Sequence, residues 1–452
     1  MQSTTIPASD CDPTGTQPVT EVAYDDAPTT RFHTLVAVAA AGGQFSDGYI
    51  LGTIGIALSL ARDTLHLNAL WLGLLGGASL AGLFAGSLLL GPLADRLGRR
   101  PLLVVTMAVF CVVSVAQFFV ETVWQLLVLR LLLGLALGID YVVCCTVVAE
   151  FSPRRARGRL LGLLTLMWSV GYTAAFIIGT LLASSGVPQS WRWILFSSAV
   201  PAAFVFLLRL KVPESPLWLL QAGRHAAAQA IVARCMGQNV RLPEITVSPP
   251  QSMRASWGEL LSAPYRLRTA VGAVFYTAQV IPYFALGTFI PTVFAALGIE
   301  STYLSGVVFN VFMLLGTAGG FWVIDRVTRR QFLVGAFYLS AALLLFLVVA
   351  RVGPWVTVAA SALFAFVLAG STVLCFVYLP ELFPTRLRAA GVGVGTAASR
   401  VGSACSTFML PLCLESLGIR PTLALCVAIL GVGGLFCQAF APETQNRSIE
   451  WS

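Results

Sequence analysis

The chain has 452 residues, of which 57% are hydrophobic and only 11% charged, against about 25% charged in a typical soluble domain. That balance excludes an ordinary soluble protein and leaves a polytopic membrane protein as the class that fits. The net charge of +8 is carried by 28 basic residues, all arginine except Lys211; their placement along the chain matters more than their sum, and no nucleic-acid surface is implied.

The first 30 residues are polar and acidic (Asp10, Asp12, Glu21, Asp25, Asp26) and have no basic stretch ahead of a short apolar core. This predicts a disordered tail over 1–31 and an uncleaved first helix. A bilayer crossing takes about 20 apolar residues, and runs of that kind predict twelve spans near 33–60, 69–93, 101–120, 123–149, 160–186, 191–208, 269–297, 301–324, 332–350, 354–379, 389–414 and 420–441. They group into an N-terminal six-helix bundle over 32–210, a linker over 211–266, a C-terminal six-helix bundle over 267–441 and a tail over 442–452. The linker stretch PLWLLQAGRHAAAQAIVARC favours short helices over a slack tether.

Assigning alternate loops to opposite sides places 22 of the 28 basic residues on one side and four (Arg62, Arg192, Arg351, Arg420) on the other, with Arg130 and Arg400 inside spans. Short cytoplasmic loops are enriched in positive charge, so both termini are expected in the cytoplasm. The ten cysteines are scattered through apolar runs without disulfide or ligand spacing. His33, His66 and His225 lie at span ends or in loops. No metal, cofactor or catalytic cluster is therefore expected, and the chain does not read as an enzyme.

Three strings recur in order. DRLGRR from Asp95 returns as DRVTRR from Asp325, EFSPRRAR from Glu150 as ELFPTRLR from Glu381, and PES at Pro213 as PET at Pro442, at offsets of 230, 231 and 229. One such match would mean little, but three at nearly one spacing predict two six-helix halves in parallel orientation.

GPLADRLGRR at Gly91–Arg100, RLLLGLALG at Arg130–Gly138, EFSPRRARGR at Glu150–Arg159, PESPLWLL at Pro213–Leu220 and PELFPTRLRAAG at Pro380–Gly391 resemble the major facilitator superfamily. The resemblance runs from residue 32 onward and points to the branch that holds sugar porters, aromatic-acid and phosphate symporters and organic-ion carriers. DGYILGTIGIAL at Asp47–Leu58 is similar to metabolite/proton symporters whose first helix carries an Asp-Gly pair. Span 7 offers Gln279 alone where sugar porters carry a glutamine pair, which speaks against sugar. The resemblance also implies a conformational latch in the charged loops, made of Gly91, Asp95, Arg96, Arg99, Glu150 and Arg157 and, in the second half, Asp325, Arg326, Glu381 and Arg386. Service as topology determinants alone is the plainer reading of those charges.

A charge inside the bilayer costs several kcal/mol unless it meets a wet cavity or a partner, so each one is a candidate site. At 1.5 Å per residue, Asp47 on the first span and Arg130 on the fourth reach about the same depth. They are expected to pair, with protonation of Asp47 breaking the pair and coupling transport to a proton; a permanent bridge between two helices is the alternative. Asp140, lower on span 4, is either a second proton site or an anchor for an arginine nearer the cytoplasm. Arg400 reaches the midplane of the other half among small residues, where its fork suits a substrate carboxylate or phosphate. Trp168, Tyr172, Tyr276, Tyr283 and Gln279 are the further candidates for lining the cavity, packing or lipid contact being the plainer role for any one aromatic.

The expectation is an all-α, twelve-helix transporter of two pseudo-symmetric bundles. It would be a monomer in the lipid bilayer of a bacterial inner membrane, carrying a small organic anion together with a proton by alternating access. A uniporter, a drug/proton antiporter and a non-transporting membrane sensor are the competing readings.

Overall fold

The computed structural model describes residues 22–90, 96–242 and 258–444. Six helical spans form the first half: span 1 (Arg31–Ala61), span 2 (Ala69–Ala85, prolonged by a π turn over Gly86–Leu90), span 3 (Arg99–Ala116), span 4 (Val123–Phe151), span 5 (Arg154–Ser184) and span 6 (Ser190–Ser197 with Ala199–Arg209). Six more form the second half: span 7 (Arg266–Thr288, continued by Ile290–Ala296), span 8 (Thr302–Val323), span 9 (Arg329–Val349), span 10 (Pro354–Ser371 with Val373–Glu381), span 11 (Thr385–Ser416) and span 12 (Ile419–Phe440). Ten of these are long and apolar enough to cross a membrane by composition alone. The other two, spans 1 and 11, are the ones that carry Asp47 and Arg400 and run to 31 and 32 residues.

The packing repeats as the motifs do. Span 1 lies on span 5, 2 on 4 and 3 on 6, while 7 lies on 11, 8 on 10 and 9 on 12. The halves meet through spans 2 and 11 and through spans 5 and 8, again a symmetric exchange. At the end away from the arginine-rich loops, span 1 runs so close to span 7 that a side chain at Gly55 would overlap the Thr288 carbonyl. Ser59 Oγ and the Tyr303 hydroxyl lie 3.3 Å apart beside it. That end of the interface is shut.

The linker contains two short helices, Pro216–Gln221 and His225–Cys235, and a strand β2 (Val240–Arg241) that pairs in parallel with a strand β1 (Val22–Ala23). The tail expectation over 1–31 is corrected here for residues 22–31. Tyr24 is buried, its hydroxyl donates to the Glu150 carbonyl at 3.0 Å, and Thr30 Oγ1 donates to the Cys235 carbonyl at 3.3 Å. The order comes from partners 126 to 218 residues away, which local composition does not report.

Candidate functional site

Asp47 is wholly buried in span 1. Its Oδ2 accepts from Gln44 Nε2 at 3.2 Å, and its Oδ1 has no hydrogen-bond partner among the described residues. The expected pair with Arg130 is not formed. Arg130 Nη2 donates instead to the Ile50 carbonyl at 3.2 Å, three residues, or about 4.5 Å, further along span 1. The two residues lie within a turn of the same depth, and one turn decides which group the guanidinium meets.

Asp140 carries the ion pair that Asp47 lacks. Arg209, the last residue of span 6, faces it with both terminal nitrogens, Nη1 on Oδ1 and Nη2 on Oδ2, the latter at 3.0 Å, and both side chains are fully buried. Thr106 Oγ1 donates to Asp140 Oδ1 at 2.6 Å, and Cys144 Sγ donates to Oδ2 at 3.2 Å. The remaining Arg209 donors reach the Leu103 carbonyl at 2.9 Å and the Ala39 carbonyl at 3.4 Å. One guanidinium thus ties spans 1, 3, 4 and 6 together. The passage is kept open by Gly43, where a Cβ would overlap Arg209 Nη2. Expected as either a second proton site or the anchor of an arginine nearer the cytoplasm, Asp140 is here paired with Arg209. That arginine was missed because an Arg one turn from a loop reads as a topology charge.

Between the halves lies a cavity of about 60 Å³ that includes Arg400 among its lining residues. Tyr141, Trp168 and Ser169 come from the first half, and Tyr276, Tyr283 and Phe284 from span 7 of the second. The Arg400 guanidinium sits 4.9 Å from the Tyr141 ring centre, a cation–π contact. Among the described residues no carboxylate forms an ion pair with it. Of the predicted lining residues, Arg400, Trp168, Tyr276 and Tyr283 come together. Tyr172 stands behind, stacked on Trp168 at 5.4 Å. Gln279 is turned away: its amide donates to Ser371 Oγ at 2.7 Å and accepts from Cys375 Sγ at 3.0 Å. Two larger hollows, about 300 and 450 Å³, lie between helices in almost wholly apolar surroundings. They lack the convergent polar groups that mark a solute site.

The charged loops show the duplication residue by residue. In the first half Arg99 Nη2 pairs with Glu150 at 2.9 Å, and the Glu214 carboxylate accepts from the backbone N–H of Arg99 at 2.8 Å and of Arg100 at 3.2 Å. In the second half Arg329 pairs with Glu381 at 3.6 Å, and Glu443 accepts from the N–H of Arg329 at 3.2 Å and of Arg330 at 3.1 Å. Each glutamate thereby satisfies donors left over at a helix N-terminus, where the helix dipole also favours negative charge. Arg157 Nη2 reaches Asp25 at 2.8 Å. Arg96 and Asp325 are exposed, and Arg326 lies over the Trp322 ring at 3.7 Å. Gly91 and Asp95 lie outside the described residues, and of Arg386 only the backbone, in span 11, is described.

The family model for sugar (and other) transporters matches residues 35–451. The chain is 39% identical to the inner membrane metabolite transport protein YgcS of Escherichia coli, with 94% of each chain covered. It is 36% identical to the putative metabolite transport protein YaaU of the same organism, over 94% of this chain and 96% of that one. Its fold superposes on the partially occluded inward-open conformation of the E. coli xylose transporter XylE with a TM-score of 0.78, at 19% identity, over 93% of this chain and all of the other.

Proposed function

Because the chain belongs to the sugar (and other) transporter family of the major facilitator superfamily, a family of membrane carriers and not of enzymes, we propose that it is a proton-coupled symporter of a small organic anion, a carboxylate. The observation that carries this is Arg400: a buried guanidinium beside the cavity between the halves, with no carboxylate paired to it among the described residues. A planar fork of donors is suited to two carboxylate oxygens at once.

Asp47 supplies the proton site in this reading. It is buried, and one of its oxygens is unpartnered among the described residues. An anion held by Arg400 and an ionised Asp47 repel each other, so anion and proton favour loading together, and by linkage each promotes the other equally. The Arg209–Asp140 pair is internally neutralised and stays fixed while this happens. Closure through Gly55 and Thr288 then alternates with opening as the halves rock, and the arginine–glutamate pairs of the charged loops act as the latch. The arginine-rich face is assigned to the cytoplasm with both termini, and the working unit to a monomer in a bacterial inner membrane.

The test is uptake into proteoliposomes of a panel of carboxylates and sugars, with and without an imposed pH gradient. A carboxylate is expected to accumulate only with the gradient. Asp47→Asn is expected to abolish accumulation while leaving exchange of substrate across the membrane intact. Accumulation unchanged in Asp47→Asn at every pH would remove Asp47 as the proton site, and gradient-independent equilibrating flux in the parent protein would leave a uniporter.

A further inference from the structure

We infer that the carried anion is an aromatic monocarboxylate, its carboxylate on Arg400 and its flat ring between Trp168 of the first half and the Tyr283–Phe284 pair of the second. The inference rests on the carboxylate reading of Arg400 and adds the body of the molecule to it.

Among the described residues the lining has one charge, Arg400, and no acid. It therefore matches one anionic group; a second carboxylate or an ammonium would enter without a counter-charge. Hydrogen-bonding capacity is also short. Beyond the tyrosines, Thr165, Ser169 and Thr372 supply hydroxyls, no amide lines the cavity among the described residues, and the Gln279 amide is already engaged with Ser371 and Cys375. A sugar or sugar acid brings several hydroxyls, and each one buried unpaired counts against binding.

What the cavity has in quantity is rings, and they come from both halves. The Trp168 centre lies 6.3 Å from that of Tyr283 and 6.1 Å from that of Phe284, and Tyr283 and Phe284 meet edge to face at 5.3 Å. A ring stacked on both sides at ordinary carbon contact needs roughly 7–8 Å between its neighbours. Trp168 and Tyr283 are thus short of that by about 1–2 Å and stand 39° from parallel, in keeping with the small cavity volume. Because Trp168 and Tyr283 belong to different bundles, a small rotation of one bundle supplies the missing space, and the ring then couples substrate binding to the closure of one half on the other. Tyr172, stacked behind Trp168 at 5.4 Å, holds the indole in place.

The experiment is competition and direct uptake with wild-type protein in proteoliposomes under a fixed pH gradient. The probes are benzoate, 4-hydroxybenzoate, cyclohexanecarboxylate, gluconate and xylose. Benzoate or its hydroxylated form is expected to be carried, with cyclohexanecarboxylate, which matches the size but is not flat, at least tenfold weaker and the other two inert. Trp168→Ala is expected to raise KM for the aromatic acid about tenfold or more, Trp168→Phe to restore most of it, and Arg400→Lys to remove saturable uptake. If gluconate or cyclohexanecarboxylate is carried at least as well, and still needs Arg400, the ring inference is overturned and the anion reading stands. If xylose is carried and Arg400→Lys leaves its KM unchanged, both fall. The wild-type competition decides the matter even if a variant fails to fold.

Discussion

The two halves share their ends and differ in their middles. At the charged loops, Arg99 with Glu150 and Glu214 is repeated by Arg329 with Glu381 and Glu443, group for group. At membrane depth, the first half buries Asp47, Arg130, Asp140 and Arg209, whereas the described spans of the second bury Arg400 alone among charged side chains. The clearest contrast lies between Asp140 with Cys144 and the residues 231 positions on, Ser371 and Cys375. Both pairs gather around a polar side chain from another helix, but that side chain is the charged Arg209 in one case and the neutral Gln279 in the other. The repeat keeps the parts that cap and join helices, while the interiors differ, four buried charges in one half against Arg400 in the described spans of the other.

The sharpest way to break this contrast is to unpair its charged member. Asp140→Asn leaves Arg209 buried without its counter-ion and is expected to cost about 3–5 kcal/mol, read as a large fall in thermal unfolding temperature in detergent. Ser371→Ala at the corresponding neutral position should cost about 0.5–1.5 kcal/mol. Equal losses would mean that the two sites are the same device.

A smaller effect is expected where a strap of chain holds one half only. Tyr24→Phe removes a hydrogen bond to Glu150 and should cost about 0.5–1.5 kcal/mol. Burial, and then the nearby Glu150 and Asp25 carboxylates, push the Tyr24 hydroxyl well above its ordinary value of 10.0. A raised value means that the neutral form is favoured when folded, so this contribution is complete below pH 10 and fades only as pH climbs beyond it. Proteolysis of the segment before span 1 should be flat across the neutral range and rise only under strongly alkaline conditions.

Smallest are the caps. Glu214→Gln and Glu443→Gln should each cost about 0.3–1 kcal/mol and by similar amounts, and the sharper the agreement between the two unfolding shifts, the firmer the equivalence of the ends.

The fold was open to reading because bilayer thickness dictates runs of about 20 apolar residues and because charged loops and repeated motifs mark the joints. Spans 1 and 11, which carry Asp47 and Arg400, are the least apolar of the twelve by composition. The depth of those two residues could be counted along the chain, and Arg400, Trp168, Tyr276 and Tyr283 do share one cavity. Partnership could not be counted. Rise per residue gives height but not direction around the helix, so Arg130 was matched to Asp47 when it meets Ile50. Arg209 lay hidden because its position at the end of an apolar helix is the usual place for a charge that points to water, and only the fold turns it inward.

The glutamates that stopper spans 3 and 9 come from the chain just after spans 6 and 12. Each bundle is therefore closed by its own trailing segment and borrows no cap from its neighbour. A gene divided within codons 243–257 would leave the first fragment with its caps and with β1 on β2, and the second with Glu443 in place. Two separately made pieces, each complete at its ends, would have only the broad face between bundles left to find.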